Sequence, residues 1–322
     1  MSEGDSERIA RRVARELGDE RLLEGLVALA ASELTSLLLE VVRRRSQHRT
    51  PAELLAQYQR GDALAPSNID PRLLLPVAAQ CYAAAPAFEA LSLPPVSPIG
   101  LNTVLGEIDQ NSALAALRSL EVLADPTTMM ALETAQRRAR GGPGDEVHLC
   151  SWARLMRMQP FDTPGFSRHF AIFSLTSGGR DRGSFAFELA ALEAHARVYL
   201  TLLARLVADG FHTGDVRFEV ADTAGNADPA GGRRLAAVQS NLFPALARDF
   251  PSVVCTIDRE RTHAMTYYRG LCFHVAVRAL DGAWLQLGDG GCTDWTQRLR
   301  SDAKERLLVS GLGAELLLRR YR

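Results

Sequence analysis

Three stretches near the C-terminus decide how this chain is read: Tyr267-Tyr268-Arg269-Gly270-Leu271-Cys272-Phe273, then Asp289-Gly290-Gly291-Cys292-Thr293-Asp294, then Ser310-Gly311-Leu312-Gly313-Ala314-Glu315. Residues 271–280 and 284–287 form a hairpin that turns at Asp281-Gly282, a strong two-residue turn signal. Asp289-Gly290-Gly291 follows, where glycines let the backbone pass close to a ligand or to another strand. Ser310 to Glu315 reads as a last strand and its helix. Tyr267 and Tyr268 precede the hairpin, either as core aromatics or as rings that stack on or hydrogen-bond a small ligand.

Upstream of these pieces, residues 252–257 read as a strand and 216–222 alternate as a half-buried one. Leu189, Leu192, Ala196, Tyr199, Leu200, Leu203 and Leu206 recur at helical spacing across 187–208, and Gly210 stops that helix. His195 lies on it as a packing or surface residue. Residues 147–152 make a strand. His169 to Leu175 also reads as a strand, with Ser177 to Gly183 as a turn, so that Arg180 points from a Gly-rich loop as an anion-binding fork or a solvent-exposed charge. A helix over 129–140 follows Asp125-Pro126, where Asp125 is a good cap. Asp109-Gln110-Asn111 is turn chemistry or a polar ligand cluster.

Residues 1–65 read as a small helical extension. Apolar residues recur at helical spacing from Leu22 to Val41, with Ser32 or Thr35 as cap of a second helix and Arg43-Arg44-Arg45 at its C-terminal end. Thr50-Pro51-Ala52-Glu53 is a capping box with proline in the first turn, and Gly61 closes that helix. Asp70-Pro71 opens the next helix, and a strand over 88–93 runs into Pro94-Pro95.

The 322 residues allow one large domain or two modest ones. A formal net charge of -1 supplies no global attraction to nucleic acid, which argues against tRNA as a partner. No apolar run reaches the roughly 18–20 residues of a membrane span, and the polar, acidic N-terminus is no secretory signal. Five scattered cysteines without CxxC spacing indicate a reduced, cytoplasmic protein and no zinc site.

Taken in order, the three C-terminal stretches resemble the last strands and last helix of a class II aminoacyl-tRNA synthetase core of the histidyl branch. The corresponding pieces of that family read roughly R-G-x-D-Y-Y-T-G-x-x-F-E, G-G-R-Y-D and G-x-x-x-G-L-E-R. The resemblance covers roughly residues 70–322 and implies an α+β fold, a class II synthetase-like antiparallel sheet flanked by helices over 66–322. The helix and strand before Pro94 resemble the dimerisation motif of the class, which implies a homodimer. The 1–65 extension has no counterpart in that core and offers a surface for a protein partner. The sequence ends at Arg322, so the anticodon-binding domain expected after the core is missing from this reading.

The resemblance also assigns site residues. The family's L-R-P-E-G-T junction, whose acid holds the substrate amino group, is similar to the strand-to-helix stretch Glu121–Thr128, with Thr127 in place of the acid and Asp125 two residues away. The hairpin motif P-x-F-R-x-E … R-x-R-E-F-x-Q places its ATP-clasping arginine on Asp162 and its substrate-facing glutamine on Ile172, and keeps the loop-end Arg168. The arginine before the Tyr-Tyr pair falls on His263, that of G-G-R-Y-D on Cys292 and the third-motif arginine on Leu316; Arg261 and Arg319 lie nearby. An Arg–phosphate contact is charge-assisted, about 1.5–3 kcal/mol, and an Asp there repels phosphate. The expectation is a paralogue that binds an amino acid or nucleotide without charging tRNA, comparable to the regulatory subunit of ATP phosphoribosyltransferase. Its site draws on Asp125, Thr127, Arg168, Arg180, His263, Tyr267, Tyr268, Gly290, Gly291, Asp294 and Glu315. The alternatives are a carboxylate-activating ligase with relocated arginines, using ATP and Mg near Glu315, and a structural dimer with an empty pocket.

Overall fold

In a computed structural model describing residues 3–60, 62–142, 144–159, 167–224, 229–262, 264 and 266–322, the sheet is organised around one long hairpin. Its strands are β5 (Val147–Met156) and β6 (His169–Arg180), antiparallel from Met156↔His169 to Val147↔Gly178. Before them come α1 (Glu3–Glu16), α2 (Leu22–Ala28), α3 (Ala31–Gln47), α4 (Pro51–Arg60), α5 (Pro71–Ala84), β1 (Glu89–Leu91), β2 (Val96–Pro98), α6 (Leu101–Gly106), β3 (Ala115–Ala116), β4 (Leu120–Val122) and α7 (Pro126–Arg140). After them come α8 (Ala186–Ala208), β7 (Val216–Asp222), α9 (Pro229–Ala237), α10 (Phe243–Asp249), β8 (Val253–Ile257), β9 (Leu271–Arg278), β10 (Trp284–Thr293), α11 (Trp295–Arg300), β11 (Glu305–Gly313) and α12 (Ala314–Tyr321).

The large sheet has the order β1-β5-β6-β11-β10-β9-β7-β8. Its six central strands are antiparallel; β1 and β8 at the edges run parallel to β5 and β7. β2, β4 and β3 form a separate small sheet. The α8 face is the main core: Phe187, Tyr199, Leu202 and Leu203 of the helix meet Phe173 and Leu175 of β6 and Phe273 and Val275 of β9. Each such side chain, fully buried, contributes about 1.5–3 kcal/mol. The opposite face carries α7 and α11, with Ala131, Trp295, Cys272 and Val309 between them and the sheet.

Two strands run further than the sequence reading gave them. β6 continues through Gly178 and Gly179 to Arg180, so the alternative turn at 177–183 is corrected. A Cβ at Gly178 would lie 2.2 Å from Thr134 of α7, and one at Gly179 would lie 2.5 Å from the Phe187 ring of α8. The glycines let helices approach a central strand from both sides, rather than ending it. β10 likewise continues through Asp289-Gly290-Gly291 to Thr293.

The caps follow the sequence closely. The Thr50 hydroxyl accepts from Glu53 N at 3.3 Å while Glu53 accepts from Thr50 N at 2.7 Å. Asp70 caps α5 by accepting from Arg72 N at 2.9 Å. α3 begins at Ala31, so neither Ser32 nor Thr35 is its cap; Glu33 accepts from Ala30 N at 3.1 Å instead. Helices α2, α3 and α4 bury none of their residues.

Candidate functional site

The Asp125-Pro126-Thr127 step that starts α7 also furnishes a cavity acid. Asp125 Oδ1 accepts from Thr127 N at 2.8 Å and from the Thr127 hydroxyl at 2.7 Å, a side-chain cap with proline in the first turn. Oδ2 accepts from the Tyr267 hydroxyl at 3.0 Å and stands 4.0 Å from Arg157 Nη2. One oxygen caps the helix and the other belongs to a cavity of about 340 Å³.

Tyr267 and Tyr268 form the wall opposite the sheet. Their rings meet edge-on at 5.0 Å between centroids, and Tyr267 meets Trp295 in the same way at 5.2 Å. The Tyr268 hydroxyl donates to Asp289 Oδ2 at 3.1 Å. Burial, together with the Asp125 and Asp289 carboxylates, pushes both phenols well above their ordinary pKa, so both stay protonated as donors.

Asp289 reaches this cavity because of a bulge. The β9–β10 register slips between Gln286 and Gly288, which reverses the side-chain alternation along β10. Leu285 and Leu287 pack on the α8 face, whereas beyond the slip that face receives Cys292 and the cavity receives Asp289. Gly291 shares the cavity side, and the Tyr268 ring rests on it: a Cβ there would lie 2.8 Å from the ring. Gly290 faces the other way, where a Cβ would meet Ser310 at 2.4 Å and Phe273 at 2.6 Å. Both glycines admit neighbouring aromatic rings.

Two arginines stand beside acids of this cavity, Arg157 by Asp125 and Arg261 by Asp289, at positions other than those the resemblance aligned. Arg157 follows β5, lines the cavity, donates to Ala124 O at 3.1 Å and lies 5.7 Å from the Phe170 ring centroid. The alignment had placed the hairpin arginine on Asp162, which lies outside the described residues, as does His263. The side chain of Arg261 is 1% exposed and donates to Asp289 Oδ1 at 2.7 Å. His274 sits beside it at 3.4 Å and bonds Glu219 in turn.

The remaining expected site residues lie elsewhere. Arg168 donates across the hairpin to Met158 O. Arg180 pairs with Asp302 at 2.9 Å at the far end of β6. Glu315 pairs with Arg154 at 2.9 Å and stands 3.8 Å from Arg319, beside a cavity of about 90 Å³ that also touches Phe170 and Leu316. Asp294 lines a third cavity, of about 550 Å³, beyond the end of β10. That cavity is larger, but its guanidinium groups are matched by acids: Arg234 by Asp222, Arg306 by Glu188 and Arg269 by Glu107. The cavity between α7, the tyrosine pair and the sheet is therefore the better candidate.

No family model matches the sequence, and no curated protein matches it either. Solved structures do match. An ATP phosphoribosyltransferase regulatory subunit/histidyl-tRNA synthetase from Bacillus halodurans C superposes with a TM-score of 0.58 at 13% identity, over 80% of this chain and 81% of that one. The fold is that of a histidyl-tRNA synthetase-like class II core. A histidine–tRNA ligase subunit from Alicyclobacillus acidocaldarius gives 0.54 at 12% identity, over 79% of this chain and 95% of that one. Apo histidyl-tRNA synthetase from S. aureus gives 0.51 at 14% identity, over 77% of this chain but 64% of its own. In this synthetase-like core the α7 cap, the Tyr-Tyr pair and the end of the β5–β6 hairpin border one cavity. Among the described residues no helix is long and apolar enough to cross a membrane.

Proposed function

We propose that this chain is a cytoplasmic, homodimeric paralogue of the histidyl synthetase-like group that binds an amino-acid-sized ligand and does not charge tRNA. The observation that carries the reading is the pairing of Asp125 and Arg157, 4.0 Å apart, at a cavity of about 340 Å³. An anion and a cation at that separation suit the ammonium and carboxylate of one zwitterion. The volume falls at the small end of the roughly 300–1,000 Å³ usual for ligand pockets.

The residues beside Glu315 do not fit a nucleoside triphosphate. The space there is about 90 Å³, Leu316 stands where the resemblance expects an arginine, and Glu315 is already engaged by Arg154. The test is a thermal-shift screen of L-amino acids and nucleotides, since a ligand that binds only the folded form raises its melting temperature. Stabilisation by an amino acid, lost when both Tyr267 and Tyr268 are changed to Ala, supports the site; stabilisation by nucleotides alone refutes it. Arg157 favours one further reading, a carboxylate-activating ligase. Amino-acid-dependent pyrophosphate exchange that disappears in Arg157→Ala would establish that activity instead.

A further inference from the structure

Helices α2, α3 and α4 form an N-terminal arm that buries none of its helical residues, although α2 has only 7 residues and α4 only 10. Isolated helices shorter than about 12–15 residues are marginal in water and gain their stability by packing an apolar face. Ten large apolar side chains between Leu23 and Tyr58 are 36–74% exposed. At on the order of 80 Å² each they offer roughly 800 Å² per arm, the area one partner contributes to a standard specific interface. The rest of the chain does not cover them, so the covering surface comes from another molecule.

The charges of the arm point to which one. Residues 19–28 carry Asp19, Glu20 and Glu24 against Arg21, a net of -2. Residues 41–60 carry Arg43, Arg44, Arg45, Arg49 and Arg60 against Glu53, a net of +4. The basic part forms an open groove of about 750 Å³ between α3 and α4, where Val41, Val42 and Ala56 lie among Arg45, Arg49 and Arg60. The acids of α3 and α4 are already engaged: Glu33 accepts from Ala30 N, Glu40 holds Arg43 and Arg44, and Glu53 accepts from Thr50 N. Arg45, His48 and Arg60 have no side-chain hydrogen bond or ion pair among the described residues. The acidic part is the complement of this groove. Leu23 and Val27 are exposed one turn apart on α2, with Glu24 on the same helix and Asp19 and Glu20 just before it. Each chain thus carries one apolar groove with a basic rim and one apolar helix with acidic flanks.

We propose that two copies of this chain pair through their arms about a twofold axis, the α2 segment of each seated in the α3–α4 groove of the other. Such an interface is isologous: the same two patches meet twice, and one set of residues supplies both contacts. Leu23 and Val27 pack on Val41, Val42 and Ala56, while Asp19, Glu20 and Glu24 face Arg45, Arg49 and Arg60. Burial of the apolar side chains supplies the driving force, and the charges fix the register and the choice of partner. This surface is separate from the α5–β1 segment that resembles the dimerisation motif of the class, and it does not depend on the ligand reading above.

The experiment co-expresses the full chain under two affinity tags, captures one tag and measures how the two assort. Wild type with wild type is the reference, with mixed dimers about twice as abundant as either like dimer. An acid-reversed chain carries Asp19→Arg, Glu20→Arg and Glu24→Arg; a base-reversed chain carries Arg45→Glu, Arg49→Glu and Arg60→Glu. All six positions are exposed, and circular dichroism checks that both chains fold. Either reversed chain paired with itself sets like charges at both contacts, whereas the two together set opposite charges at both. The expected result is a mixed-to-like ratio at least about tenfold above the reference for the reversed pair. The reference ratio in the reversed pair, as a dimer held only by another face or a groove taken by a different partner would give, overturns the proposal and leaves the homodimer and the ligand reading intact. Recovery of singly tagged chain alone, in wild type and reversed pair alike, overturns the proposal and the homodimer together.

Discussion

Changing Tyr267 to Phe removes one hydroxyl and keeps the ring that packs against Tyr268 and Trp295. The lost bond is the 3.0 Å donation to Asp125 Oδ2, with the Thr127 hydroxyl a secondary contact at 3.3 Å. Hydrogen bonds to charged groups contribute about 1.5–3 kcal/mol. The Asp125 side chain is 13% exposed and keeps its two Thr127 donors, which places the loss near the lower end, about 1.5 kcal/mol. For a chain of this size that is about 2 °C in melting temperature. The assay is urea denaturation of four proteins: wild type, Tyr267→Phe, Asp125→Asn and the double variant. Asn preserves the helix cap, so the cycle isolates the phenol–carboxylate coupling, expected at about 1 kcal/mol or more. A Tyr267→Phe protein as stable as wild type, with no coupling in the cycle, would refute the geometry assigned to the acid and its tyrosine.

Gly291→Ala should cost about 1–3 kcal/mol by urea denaturation, because its Cβ would lie 2.7 Å from Cys272 Cβ and 2.8 Å from the Tyr268 ring. Gly25→Ala in α2, with nothing within 4 Å, should be neutral or stabilising and serves as control. His195 is buried between the Ser177 hydroxyl at 3.0 Å and the Ser310 hydroxyl at 2.7 Å, with His148 and the Phe88 ring nearby, and burial holds its pKa well below 6.5. The unfolded chain therefore takes up a proton first as pH falls below about 6.5, and stability present above that pH is lost at up to about 1.4 kcal/mol per pH unit. His195→Gln should flatten that part of the stability–pH curve; parallel curves for the two proteins between pH 6.5 and 5 would exclude the effect. Removing residues 1–65 should leave the core folded, with a melting temperature within about 2 °C of the full chain, because α2, α3 and α4 bury nothing, α1 buries only Ala14 among its described residues, and a single His169–Ala65 bond at 2.7 Å is lost at the cut. A truncated protein that unfolds would place the boundary elsewhere.

Much of the scaffold could be read from local chemistry. The Thr50–Glu53 box, the Asp70 and Asp125 caps and the Asp281-Gly282 turn are short-range signals, and each sits where its residues put it. The β5–β6 hairpin was read from the resemblance of 154–173 to the family's hairpin motif, and its strands extend beyond that stretch at both ends, to Val147 and Arg180. The site was legible in part: Asp125, Thr127, Tyr267 and Tyr268 meet at one cavity. Asp289 was not, because its direction depends on a bulge near Leu287 that no residue type announces. Arg157 was missed because the alignment placed the hairpin arginine five residues later. Arg261, six residues before Tyr267, lies two residues from the aligned position, and only the fold shows that it reaches Asp289.

The account is tested most directly by titrating the twenty L-amino acids into wild type and Asp125→Asn. Saturable binding of at least one by the wild type, weakened at least about tenfold in the variant, is the predicted result, since the ammonium loses its carboxylate while the cap is kept. No binding in either protein, or equal affinity in both, would contradict a site built on Asp125.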